Sequence, residues 1–143
     1  MKEILFAVLV SAAFALLFEV KKPLFILCAG INGGVGWAVF LLLEPYVSAV
    51  VCSLAATIVV AVLAELLARI LKAPATIFLV VSIMPMVPGG GLYYTMDHLI
   101  SGDLAGFVQT GLQTIGIAGG IAVGVSFVSS VARLLRKGAS AVR

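Results

Sequence analysis

The chain has 143 residues, of which 63% are hydrophobic and 10% charged, and its mean hydropathy is +1.28. A soluble domain has no place for that much apolar surface, so the composition predicts one integral membrane domain and leaves no tract for a soluble catalytic domain. The net charge of +3 carries topological meaning here and says nothing about nucleic acid, which is not expected as a partner.

Apolar runs bounded by charge or proline predict five spans. Residues 4–20 follow Lys2, and no small-residue cleavage site precedes Lys21-Lys22, so the run reads as a retained first span and not as a signal peptide. Residues 24–43 carry Gly30, Gly33, Gly34 and Gly36 around Asn32 and Trp37. Residues 46–68 end with Glu65 one helical turn before Arg69. Residues 75–96 are uncharged, and residues 104–135 are long enough to tilt or to emerge. In that last run Gly116, Gly120 and Gly124 recur every four residues and share one helix face, a pattern of close helix packing that is also compatible with a sliding surface. Cys28 and Cys52 sit inside apolar runs without metal-ligand spacing and read as small buried side chains. The expected fold is all-α: a polytopic bundle of five transmembrane helices, the fourth broken near the bilayer midplane.

The basic residues orient this map. Lys21, Lys22, Arg69, Lys72, Arg133, Arg136, Lys137 and Arg143 fall in alternate loops and the tail, on one side; only Lys2 falls on the other, with Glu3, Glu44, Asp97 and Asp103. Eight of nine basic residues on one side predicts the N-terminus outside and the C-terminus in the cytoplasm. If residues 75–96 dipped in and returned, the tail would change sides and the bias would vanish.

The fourth run reads Ser82-Ile83-Met84-Pro85-Met86-Val87-Pro88-Gly89-Gly90-Gly91-Leu92-Tyr93 at its centre. Each proline lacks a donor and displaces the carbonyl four residues back, here Val81 and Met84, and three glycines offer backbone for an unwound turn. Counted from Ala75, Pro85 lies roughly 15 Å deep, and irregular backbone at that depth survives only inside protein or beside a cavity. Broken helices of this kind form transporter binding sites, so Pro85, Pro88, Gly89, Gly90, Gly91, Tyr93 and Asn32 are the candidate substrate-binding residues. The helix ending near Met84 would present its negative end, and the helix restarting near Leu92 its positive end.

Three acids are candidate proton carriers. Glu65 is either one half of an interfacial pair with Arg69 or a proton or substrate partner, because an acid inside the membrane is costly to keep. Asp97 and Asp103, with His98, form either a hydrated loop or an outward vestibule. Glu3 and Glu44 fall in external termini or loops, and Glu19 adjoins Lys21-Lys22. No nucleophile–base set, paired metal ligands or phosphate-binding loop is present, so no catalytic residue, metal or cofactor is expected.

Ala64-Glu65-Leu66-Leu67-Ala68-Arg69, Lys72-Ala73-Pro74-Ala75-Thr76, Pro85-Met86-Val87-Pro88-Gly89, Tyr93 and Gly102-Asp103 resemble the small-subunit half of the threonine/serine exporter family, as do Phe18-Glu19-Val20 and Gly33-Gly34-Val35-Gly36-Trp37 upstream. Val81-Ser82 stands where that pattern has Pro-Gly. The resemblance implies a secondary exporter of the bacterial inner membrane, in the split arrangement that needs a larger five-span partner. It implies a small carboxylate substrate: threonine or serine, as for fused members, or a dicarboxylate such as succinate, as for split ones. An odd span count agrees with halves that insert upside down relative to each other. The alternative is a structural or assembly subunit that packs through its glycine faces and touches no substrate.

Overall fold

The computed structural model describes residues 1–141, with side chains to Leu135, and every regular element among them is helical. The first helix, α1, spans Lys2–Leu17. It stops because Glu19 adopts a left-handed φ of 57° and the Val20 N–H turns back to the Ala15 carbonyl (3.0 Å), a helix-ending reversal made here without glycine. Pro23 then opens α2 (Pro23–Leu43) at the position where a missing N–H costs nothing. The third helix, α3 (Ala49–Leu71), ends on Lys72 at a left-handed φ of 50°.

The fourth apolar run is interrupted. α4 (Ala75–Ile83) passes into a 3-10 turn at Met84–Met86, and α5 (Gly89–Ile100) restarts after Pro88. The two helical arms are bent by 42°. The last helix, α6, runs over Leu104–Ala141.

α1 and α2 lie antiparallel, with Gly30 and Gly34 of α2 against Val8, Ala12 and Ile4 of α1. α3 and α6 lie parallel: Gly116 and Gly120 meet Val50, and Gly124 meets Leu54 and Thr57, so the three-glycine face is the seam that admits α3. Ala15, Ala29, Ala64, Ala68, Phe78 and Val81 form one core cluster, which gathers the end of α1, the start of α2, the end of α3 and the start of α4. Val62–Arg69 of α3 and Val128–Leu135 of α6 share a groove toward the same end. Lys21, Lys22, Arg69, Lys72 and Arg133 therefore flank one end of the bundle; Arg143, and the side chains of Arg136 and Lys137, lie outside the described residues.

Among the described residues, three helices are long and apolar enough to cross a bilayer, α2, α3 and Leu104–Leu135 of α6, and the bent pair makes a fourth if taken as one broken span. α1 has 16 residues, about 24 Å against a ~30 Å hydrocarbon core. The expected first span, 4–20, included Phe18, Glu19 and Val20, which the structure gives over to the reversal, so five crossings do not follow from helix length.

Candidate functional site

The interruption begins where three helices are tied by polar groups. Asn32 and Val60 lie at the middle of α2 and α3, and Ser82 lies one residue before the end of α4. The Asn32 amide, 2% exposed, donates to the Val60 carbonyl (3.2 Å) and to Ser82 Oγ (3.1 Å), and Ser82 Oγ donates to the Ala29 carbonyl (2.9 Å). Asn32 Oδ1 has no partner, and neither has Ser11 Oγ of α1, which packs against Gly33. A buried polar atom left unpaired costs about 1–3 kcal/mol. The substrate-contact candidate Asn32 thus has its donor side committed to the tie and its acceptor side open.

The turn itself differs from the sequence expectation in two respects. The carbonyls displaced by the prolines are not left bare: the Met84 N–H donates to Val81 O, and the Val87 N–H to Met84 O (3.2 Å). Tightening to i→i+3 bonds re-satisfies both. The glycines are not an unwound turn either, because Gly89, Gly90 and Gly91 form the first turn of α5. Pro88 fixes the entry at φ −78° and the helix proceeds. Gly91 is needed for packing, since a Cβ there would strike Thr114 of α6, whereas Gly89 and Gly90 face open space. Leu92 is the first N–H of α5 to reach a carbonyl at helical spacing (Pro88 O, 3.2 Å); those of Gly90 and Gly91 are among the orphan donors of any helix start.

Two grooves flank this turn. One, of about 310 Å³, is lined by Trp37, Phe40, Ser53, Pro85, Pro88, Gly91, Thr110, Gln113 and Thr114, among others. It combines the start of α5 with the hydroxyl and amide side chains of α6. Trp37 and Phe40 stack in it at 5.4 Å and 10°. The other groove, of about 360 Å³, lies on the α1 side and is lined by Glu3, Phe6, Ala7, Val10, Trp37, Met84 and Pro85. Trp37 and Pro85 border both. The indole Nε1 of Trp37 is buried without a partner.

Of the sequence candidates, Pro85, Pro88 and Gly91 meet in one groove, with Gly89 and Gly90 beside it. Tyr93, 69% exposed, lines neither; it stands edge-on to Tyr94 at 5.5 Å. The acids are scattered. Glu65 shares a groove with Arg69, Val128 and Leu135 near the basic end of the bundle. Asp97 is exposed near the tip of the α5–α6 hairpin. Asp103 caps α6, accepting from the Gly106 N–H (3.0 Å), and pairs with His98 Nδ1 (3.0 Å). The Gly106 N–H, and secondarily the neighbouring His98, hold its carboxyl below the usual carboxylate range. Sequence reasoning set Glu3 aside, yet it is the acid that borders the break; no local signal announced it, because tertiary packing brings it to Pro85. Ser82 did carry a signal, as a lone hydroxyl inside an apolar run. Among the described residues, no group of three or more His, Cys, Asp or Glu is placed to hold a metal.

Interlocked apolar helices, a polar tie at mid-height and a proline-interrupted span define a polytopic α-helical membrane protein. The sequence profile described as Threonine/Serine exporter, ThrE, matches residues 3–131, and the chain belongs to that family. Membership places it in a family of exporters. No curated protein and no solved structure matches the chain.

Proposed function

We propose that the chain is a subunit of a secondary-active exporter of a small carboxylate-bearing metabolite, threonine or serine or a dicarboxylate such as succinate. It acts with a larger five-span partner in the bacterial inner membrane. The observation that carries this reading is the interruption at Met84–Pro88 beside a groove with both apolar and hydrogen-bonding walls. The open N–H groups and positive end of α5 suit a carboxylate, and the negative end of α4 suits an ammonium or a co-transported cation. In this reading Pro85, Pro88, Gly89, Gly90, Gly91, Tyr93 and Asn32 belong to the substrate path, and α1 crosses as a short fifth span. The N-terminus is outside and the C-terminus cytoplasmic, which the gathering of basic residues at one end of the bundle supports.

Export is coupled to protons, with Glu65 the carrier on the cytoplasmic side and Asp97 or Asp103 outside. The cap and ion pair of Asp103 favour its charged form, which gives Asp97 the greater share of the outer role. A purely structural subunit is the alternative; the re-satisfied Val81 and Met84 carbonyls remove one objection to it, while the flanking grooves count against it.

The test is export of labelled threonine and of succinate from cells with and without the partner, comparing the native chain with Pro85→Ala/Pro88→Ala. A continuous helix closes the site, so the double variant inserts at normal abundance and stops exporting. Normal export by a well-inserted double variant reduces the break to a packing kink.

A further inference from the structure

The α1-side groove has the opposite electrical character from the groove beside α5. Among the described residues lining it, Glu3 alone is ionisable; the others are Phe6, Ala7, Val10, Trp37, Met84 and Pro85. The position of that carboxylate is unusual. Glu3 and Trp37 border the same groove, and α2 continues past Trp37 to Leu43, a further ~9 Å. Glu3 therefore stands below the rim of a helix whose length matches the bilayer core, where an acid is expensive unless it faces a polar cavity or a partner. Its neighbours Met84 and Pro85 belong to the turn that closes α4, whose axis directs its negative end there. The aromatic rings of Phe6 and Trp37 complete a lining that favours positive charge. Lys2, on the same helix, does not line the groove.

We propose that this groove binds a small monovalent cationic group, with the Glu3 carboxylate as its counter-charge and the end of α4 as its dipolar support. The proposal rests on the transport reading and deepens it. The two sides of one break then have opposite preferences, a carboxylate at the start of α5 and a cation between α1 and the end of α4, with Pro85 and Trp37 as the shared wall. The cationic group comes either from the substrate, as an α-ammonium, or from a free alkali cation.

Trp37 is the chain's single tryptophan and borders both grooves, so its emission reports occupancy of either, and dependence on Glu3 singles out the α1-side groove. The full chain in phospholipid vesicles is titrated at constant ionic strength with L-threonine, succinate, sodium chloride and potassium chloride, for the native protein, Glu3→Gln and Glu3→Asp. The expected result is a saturable change in Trp37 emission whose half-saturation rises at least about tenfold in Glu3→Gln, the loss of one charge-assisted contact, with Glu3→Asp between. A Glu3-dependent response to threonine but not to the salts assigns the cationic group to the substrate's ammonium; a Glu3-dependent response to sodium or potassium alone assigns it to a free cation. Unchanged half-saturations for threonine, sodium and potassium in Glu3→Gln, a rise for succinate as large as that for threonine, or no saturable response to threonine, sodium or potassium overturns the proposal.

Export separates this outcome from failure of the transport reading. If Pro85→Ala/Pro88→Ala abolishes export while Glu3→Gln retains the native KM, the cation groove is wrong and the transport reading stands. If the double variant exports normally, the transport reading itself falls.

Discussion

The α1–α4 bundle and the less apolar α5–α6 hairpin are held in different ways. In the bundle, small residues let helices approach until side chains lock: Gly33 leaves room for Ser11, and Gly36 leaves room for Met86 and Val60. Asn32 then ties three helices by hydrogen bonds inside that contact. In the hairpin, α5 has no buried residue, and its main packing is against α6 alone. Its contacts with α6 include a Gly91–Thr114 approach near the break, a Gly111–Thr95 approach midway and the His98–Asp103 pair at the tip. The bundle is fixed by close packing around polar groups, and α6 is locked to it through its glycine face on α3; α5 alone rests chiefly on α6 and joins the bundle through the 3-10 turn. A transporter needs both, since a moving arm requires something to move against.

That contrast is broken most directly at Gly33. A Cβ there lies 2.9 Å from Ser11 Cβ and 3.2 Å from the Ser82 carbonyl oxygen, backbone that cannot yield cheaply. Gly33→Leu is expected to cost about 3 kcal/mol or more, read as loss of folded protein and a lowered Tm followed by Trp37 emission in detergent. Gly89→Ala and Gly90→Ala form the counterpart on the hairpin side. Both positions are helical with open space around them, so alanine there is neutral or stabilising by about 0.4–1 kcal/mol. Equal losses at Gly33 and Gly90 in the same Tm measurement would erase the distinction between the two regions.

A second, smaller effect is expected at Asn32. Asn32→Ala removes two donated hydrogen bonds, leaving the Ser82 hydroxyl without its donor and the Val60 carbonyl with only the N–H of its own helix, at a cost of about 2 kcal/mol. Ser82→Ala removes an overlapping part of the same tie, so the double variant is expected to lose clearly less than the sum of the two singles. Strict additivity in thermal unfolding would mean that the two side chains stabilise the bundle independently.

The legibility of these features in the sequence followed the range of the forces behind them. Pro85 and Pro88 act on their own backbone, so the interruption of the fourth run was readable at once. The family was readable because its motifs are local strings. The fate of the broken turn was not. Whether a displaced carbonyl stays bare or takes an i→i+3 donor depends on a few degrees of backbone rotation, and here Met84 and Val87 supplied the donors. The three glycines look like an unwound turn in sequence, but α6 requires Gly91 to be small for packing, a demand made by a residue far along the chain. Glu3 was missed for the same reason. The end of α1 was misjudged because Glu19, a charged residue without glycine's freedom, takes the left-handed turn itself.

The smallest expected effect lies at the hairpin tip and depends on pH. The Asp103 carboxyl accepts from the Gly106 N–H and faces His98, and these contacts lower its pKa below the ordinary carboxylate value. A group whose pKa falls on folding stabilises the fold above its unfolded pKa and loses that contribution as pH drops through the lowered, folded value. Asp103 therefore steadies the start of α6 at neutral pH and stops doing so in the acid range below about 4. Asp103→Asn is expected to lower the stability of the hairpin slightly at pH 7 and by less at pH 3, since an amide keeps one acceptor and discards the charge. Amide hydrogen exchange at the first turn of α6, compared between the two proteins at both pH values, measures this locally. A difference of the same size at pH 3 and pH 7 would show that the cap acts through shape alone, and that the tip of the hairpin is held no differently from the uncharged interior of the bundle.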